Sequence, residues 1–152
     1  MEHRMDWNAI FGNAGSLAML GWAVLILAPR RIPYLGAVPR LAVPLLLSVL
    51  YSALMLAYFF TAEGGFGSLA DVRALFASDP LLLAGWVHYL AFDLLIGCFV
   101  AERLDRAGVH RIIQAPVLVM VFLFGPMGLL VGLLTELGAK LRGRPLTAAG
   151  AA

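Results

Sequence analysis

Hydrophobic positions run along this chain in four long stretches. Each is about 20 residues, the length an α-helix needs to cross a hydrocarbon core of about 30 Å. The first covers residues 8–28 and is closed by Pro29-Arg30-Arg31; the second covers 41–61, opened by Arg40 and Pro44 and closed by Tyr58-Phe59-Phe60. The third, 80–101, starts at Pro80, where the first turn of a helix tolerates proline. The fourth, 115–138, is followed by Lys140, Arg142 and Arg144. Backbone groups inside a bilayer must be hydrogen-bonded within their own segment, so these runs predict helices. Short connections make neighbours antiparallel. The pattern predicts an all-α integral membrane protein, a four-transmembrane-helix bundle forming one domain over residues 1–152.

The least hydrophobic connection, 62–79, has a pattern of its own. "EGGFG" supplies three glycines able to take positive φ. "SLAD" (Ser68 to Asp71) has the form of a capping box that opens a short helix. Leu69, Val72 and Phe76 fall on one side of that helix, which predicts an amphipathic loop helix lying on the bilayer as a lid.

Composition narrows the class further. The chain is 62% hydrophobic and 13% charged, with a mean hydropathy of +0.91, whereas a soluble domain carries about 25% charged residues. The net charge of +2 is small. Its basic residues flank apolar runs, which suits lipid headgroups and gives no track for nucleic acid. Cys98 is the single cysteine, so no internal disulfide or multi-cysteine metal site forms. His3, His88 and His110 are far apart in sequence and in no ligating spacing, so neither metal nor cofactor is expected. "MEHRMDW" lacks a basic signal region, and "LAPRR" reads as stop-transfer. Three Lys/Arg in each of the connections 29–40 and 102–111 place those loops in the cytoplasm and both termini outside. The three basic residues of the C-terminal tail argue the other way.

Two polar residues interrupt the third run. An acidic side chain at a helix centre costs about 2.5–3.5 kcal/mol on insertion scales, so it faces a protein interior and marks a functional site. Asp93 is close to the midpoint of the run. His88 is about 7.5 Å away along the axis and points roughly 140° from it. Asp93 shares its face with Trp86, Tyr89 and Gly97, while His88 shares its face with Phe92 and Leu95. Tyr51 and Ser52 are at mid-depth in the second helix, with Asn13 and Ser16 in the outer half of the first. Desolvation disfavours charge on both Asp93 and His88, which leaves an acid and a base at the edges of one dry cavity. The alternative is that Asp93 only hydrogen-bonds Tyr51 or Asn13 to hold helices together. In "FGPMGLLVG" (Phe124 to Gly132), Pro126 removes a mid-helix hydrogen bond. Gly125, Gly128 and Gly132 leave a groove, for a neighbouring helix or for a flat polyene chain.

The string "GWVHYLAFDL" joined to "FGPMG", together with Gly65-Phe66-Gly67 and the first helix carrying Asn13, resembles the abscisic-acid-deficient-four-like family of membrane proteins. The resemblance covers about Phe11 to Leu134. Plant members of that family are needed to make neoxanthin, an allenic carotenoid, from violaxanthin. The resemblance therefore implies a multi-pass protein that handles a carotenoid or related isoprenoid polyene. Without a plastid transit extension the chain reads as a bacterial relative in the inner (cytoplasmic) membrane. Cys98 stands where the family pattern has an aromatic.

Opening an epoxide to an allene needs an acid for the oxygen and a base for a carbon-bound proton, with no net redox change. The expected reading is an isomerase-type enzyme with Asp93 as acid and His88 as base. Tyr51, Tyr89, Trp86, Phe92, Asn13, Arg73, Gly125 and Gly128 would surround the substrate, and Asp71 or Arg73 would hold a ring hydroxyl. The rivals are a non-catalytic pigment or lipid carrier, including an accessory subunit, and a proton or solute channel. The partners expected are membrane lipids, the polyene, and a second copy or a carotenoid-pathway enzyme; nucleic acid is not among them.

Overall fold

The computed structural model describes residues 5–29 and 32–142. His3, Arg30, Arg31 and Arg144, which entered the charge and metal arguments, lie outside the described residues. Every regular element among the described residues is helical. Three helices are long and apolar enough to cross a membrane: α1 (Trp7–Leu27), α2 (Tyr34–Thr61) and α4 (Asp79–Arg106). Between the last two lies a short helix, α3 (Leu69–Leu75). The chain ends in α5 (Arg111–Phe124) and α6 (Pro126–Arg142). It forms two compact units, Met1–Leu95 and Ile96–Ala152, with the boundary inside α4.

In the first unit, α1 starts where the Asp6 carboxylate accepts from the Asn8 and Ala9 amides at 3.0 and 3.1 Å, satisfying two donors the helix itself cannot pair. It stops at Ala28, whose extended backbone (φ −69, ψ 143) is the conformation a following proline enforces. Helix α2 begins earlier than the hydropathy predicts. It runs through Pro39 by a π-helical turn, Val38–Ala42, in which the Val43 amide reaches back five residues to Val38. Pro39 and Pro44 have no N–H to give the regular ladder, and the widened turn carries the helix past them.

The three spans of this unit meet at Gly21. A Cβ there would lie 2.5 Å from Leu94 Cδ2 and 3.4 Å from Val43 Cγ1, so the missing side chain lets α1 approach both neighbours. Trp7 meets Tyr58 edge-on at 5.7 Å and Phe11 meets Trp86 at 5.3 Å. These pairings make α1 antiparallel to α2 and parallel to α4.

The capping box forms as the sequence predicts. Ser68 Oγ accepts from the Asp71 amide at 3.1 Å and donates to the Asp71 carboxylate at 2.8 Å. The buried side differs, however: Leu75 is buried and Leu69 is 75% exposed. The left-handed glycine is Gly64 (φ +89), not Gly65 or Gly67. A Cβ on Gly64 would also run into the Asp71 carbonyl oxygen and the Leu75 amide. Gly64→Ala is therefore expected to destabilise the loop by about 1–2 kcal/mol from the backbone conformation alone, and Gly65→Ala by much less. Thermal melts of the two variants check the order.

In the second unit the fourth predicted span, 115–138, is not one helix. The chain reverses at Gly125 (φ 41, ψ −97), and α5 and α6 lie against each other as a hairpin. A Cβ on Gly128 would fall on the Val121 backbone and within 2.5 Å of the Met120 carbonyl carbon, and one on Gly132 would lie 2.6 Å from Val100 and 3.4 Å from Val117. In a straight helix Gly132 and Val117 would be about 22 Å apart. Pro126 opens a helix here instead of kinking one, the position proline favours. At the other end the buried Gln114 amide donates to Asp105 Oδ1 (2.7 Å) and to the Val109 carbonyl (2.8 Å). The buried Glu136 carboxylate pairs with Arg103 and Lys140, each at 2.5 Å.

Candidate functional site

α4 carries the polar residues that the sequence singles out, and its helical periodicity sorts them onto two sides. Trp86, Tyr89 and Asp93 form one line. Trp86 and Tyr89 stack at 5.4 Å, and a hydrogen bond links the Tyr89 and Asp93 side chains one turn apart. Asp93 is only 6% exposed, and its Oδ2 has no hydrogen-bond partner. His88 and Phe92 form the other line, stacked at 4.5 Å and both exposed at the protein surface.

The expected acid and base are therefore on opposite sides of one helix. The partner that approaches His88 is Tyr51 of α2, with ring centroids 5.5 Å apart. Those two side chains close one end of a cavity of about 340 Å³. Met55 of α2 and Leu81 and Gly85 of α4 supply its walls, and Phe66, Leu75 and Phe76 cover it from the 62–79 connection. Gly85 shapes this space: a Cβ there would come within 2.7 Å of the Phe76 ring, so glycine makes the slot into which the ring fits. Phe66 in turn stacks on Phe59 at the end of α2, at 5.7 Å.

Ligand sites span about 300–1,000 Å³ and combine mostly apolar walls with a few placed polar groups. This cavity is at the small end, sized for one ring or chain end. Beyond His88 the exposed Phe92 and Leu95 continue an apolar strip along α4. A neutral imidazole both donates and accepts, and a phenol hydroxyl can give a proton. The pocket thus holds a proton acceptor beside a proton donor with apolar surface on the remaining sides.

The other candidate residues are placed elsewhere. Trp86 lines a wider cavity of about 600 Å³ at the start of α1 and α4, with Phe11, Asp6 and Asp79. Asn13 is exposed on α1 and Arg73 is exposed on α3, neither at the Tyr51–His88 pocket. The expected glycine groove is closed, because Val121, Val117 and Val100 fill the space over Gly128 and Gly132. Gly125 makes the reversal itself. No local pattern marks Met55, Phe66, Leu81 or Gly85 as a lining residue of this pocket. Phe76 alone has a signal, as the aromatic that ends the amphipathic helix. Among the described residues no three His, Cys, Asp or Glu side chains cluster as metal ligands.

Comparison with curated proteins and with solved structures returns no match to this chain. The family described as ABA DEFICIENT 4-like has a sequence model that matches residues 9–131, a range that contains every residue of the Tyr51–His88 pocket. The chain belongs to the ABA DEFICIENT 4-like family.

Proposed function

We propose that this protein is a membrane-embedded isomerase-type enzyme that acts on a carotenoid or related isoprenoid polyene by acid–base chemistry. The observation that carries the reading is the pairing of Tyr51 with His88 at the end of an apolar, aromatic-covered cavity that opens along a membrane-spanning helix. Membership in a family related to neoxanthin synthesis supports it. An end ring enters between α2 and α4, and the polyene lies outside along Phe92 and Leu95. Protonation of an epoxide oxygen by Tyr51 breaks a carbon–oxygen bond. Removal of a carbon-bound proton by His88 completes the unsaturated product, so no electrons are gained or lost. The 62–79 connection serves as the lid of this site.

Asp93 takes a supporting part in this scheme. Buried beside the half-buried Tyr89 on the far side of α4, it faces away from the pocket in which the proton transfers occur. Asp93→Asn keeps the size and the hydrogen bond to Tyr89, so turnover is expected to stay within a few-fold of wild type. A loss of roughly 10² or more in a folded variant, the usual contribution of a positioned acid, would return Asp93 to the reaction.

The direct test reconstitutes purified protein in lipid with epoxidised and non-epoxidised polyenes and follows isomers by chromatography. Conversion of an epoxide to an isomer of equal mass is the expected result. A bound polyene recovered unchanged in every case would instead make the protein a carrier or an accessory subunit.

A further inference from the structure

We infer that the α5–α6 hairpin is a re-entrant element. It dips into the bilayer from the cytoplasmic side and returns to that side without crossing, with lipid acyl chains as its partner surface.

Length is the first argument. Helix α5 has 14 residues and α6 has 17. At a rise of about 1.5 Å per residue they reach about 21 Å and about 25 Å. The hydrocarbon core is about 30 Å thick. Neither limb spans it, and the pair turns back on itself.

The ends of the hairpin share one level. Glu136, near the end of α6, is paired with Arg103 in the last turn of α4, and Gln114 at the start of α5 is bonded to Asp105 and Val109 just beyond it. A fourth crossing by residues 115–138 would carry Glu136 to the far side of the core, about 30 Å from that level.

The tip suits lipid. No Asp, Glu, Lys or Arg occurs from Ile112 to Thr135. Leu123, Phe124, Met127 and Leu130 around the reversal are each more than half exposed. Irregular backbone in hydrocarbon is tolerable only where its polar groups are paired. Here the Gly125 amide bonds the Val121 carbonyl, the Gly125 carbonyl accepts from Leu129, and Pro126 has no N–H to leave unpaired.

Charge then fixes the side. Three crossings by α1, α2 and α4, followed by a hairpin that returns, put the 29–40 turn, the 102–111 connection and the C-terminal tail on one face of the membrane. That face carries nine of the eleven Lys and Arg, and only Arg4 and Arg73 are opposite. A fourth crossing would divide them six to five. Positively charged flanks stay in the cytoplasm, so the N-terminus is outside and the C-terminus inside. The same count removes the conflict between the tail and the two basic loops. Arg111, Lys140 and Arg142 at the rim meet the anionic headgroups of the cytoplasmic leaflet.

The test uses single cysteines in a Cys98→Ser background and a membrane-impermeant maleimide on intact bacterial cells. Glu63→Cys is expected to react at once, whereas Ala107→Cys and Ala151→Cys react only after permeabilisation. Fusions of alkaline phosphatase and of a fluorescent protein after Ala152 in the otherwise wild-type chain give a second reading, free of any folding defect from the cysteines. The expected result is fluorescence without phosphatase activity. Separation of Ala107→Cys from Ala151→Cys, with the tail labelled from outside, would overturn the hairpin insertion. Joint labelling of both from outside would overturn the cytoplasmic assignment.

Discussion

His88→Gln is expected to keep binding a polyene while its conversion of that polyene falls by roughly 10²–10⁴-fold, the usual contribution of a positioned general base. Glutamine has a similar reach, but its amide is no useful base near neutral pH. Binding survives because it comes mainly from apolar burial, at about 25 cal/mol per Å². Met55, Leu81, Phe66 and Phe76 of the cavity keep their apolar surface in the variant. The measurement pairs two readouts on one sample: pigment retained through purification, by absorbance, and isomers formed, by chromatography. Equal turnover in wild type and variant would remove His88 from the reaction. Loss of pigment together with loss of turnover would mean that the ring shapes the pocket instead of acting in it. Tyr51→Phe belongs beside it, since removal of the one phenol facing His88 is expected to slow the same step without emptying the cavity.

What the sequence discloses here follows from how local each determinant is. The Ser68–Asp71 capping box is a contact between residues three apart, and it forms as read. The division of α4 into a Trp86–Tyr89–Asp93 line and a His88–Phe92 line needs only the helical period, and the ring contacts follow it. The three long spans follow from hydropathy and length. The pocket is of another kind. Its roof depends on Phe76 fitting a slot left by Gly85, a match between a loop and a helix face that no local pattern encodes. Pairing of His88 with Tyr51, in place of Asp93, is likewise decided by which neighbour packs on which side of α4. An acid and a base five residues apart point roughly 140° from each other on a helix, so they border one cavity only where the neighbouring helices join its two sides.

The reversal at Gly125 is hidden for a different reason. A hairpin of two short limbs has the same hydropathy as one straight span, and Pro126 in the middle reads as a kink. The glycine spacing holds the answer in a form open to two readings. Gly128 and Gly132 are small because another helix lies on them, and that helix is the preceding limb of the same run. The ambiguity extends to topology, since the basic tail conflicts with the basic loops for as long as the fourth run is taken to cross.

That origin of the glycine pattern gives the most direct test of the hairpin, a graded series along α6. Gly128→Ala places a Cβ against the Val121 backbone, which cannot rotate aside, so the limbs must separate. Overpacking of a close contact typically costs about 1–3 kcal/mol, and a backbone obstacle is the unfavourable extreme. The expected outcome is a protein that melts much earlier or fails to accumulate. Gly132→Ala meets the Val100 side chain at 2.6 Å, a neighbour able to change rotamer, and a smaller loss is expected. A Cβ on Gly138 meets nothing within 4 Å. Helix propensity favours alanine there by about 0.5–1 kcal/mol, so Gly138→Ala should be neutral or mildly stabilising. Melting temperatures in one detergent, read for all three variants, check the order. In a straight fourth helix the Gly128 Cβ would not meet Val121, which would be about 10.5 Å away along the axis. Gly128→Ala would then gain helix propensity like Gly138→Ala. Equal melting of those two variants would rule out the folded-back limbs, and a collapse confined to Gly128→Ala would establish that residues 111–142 double back on themselves.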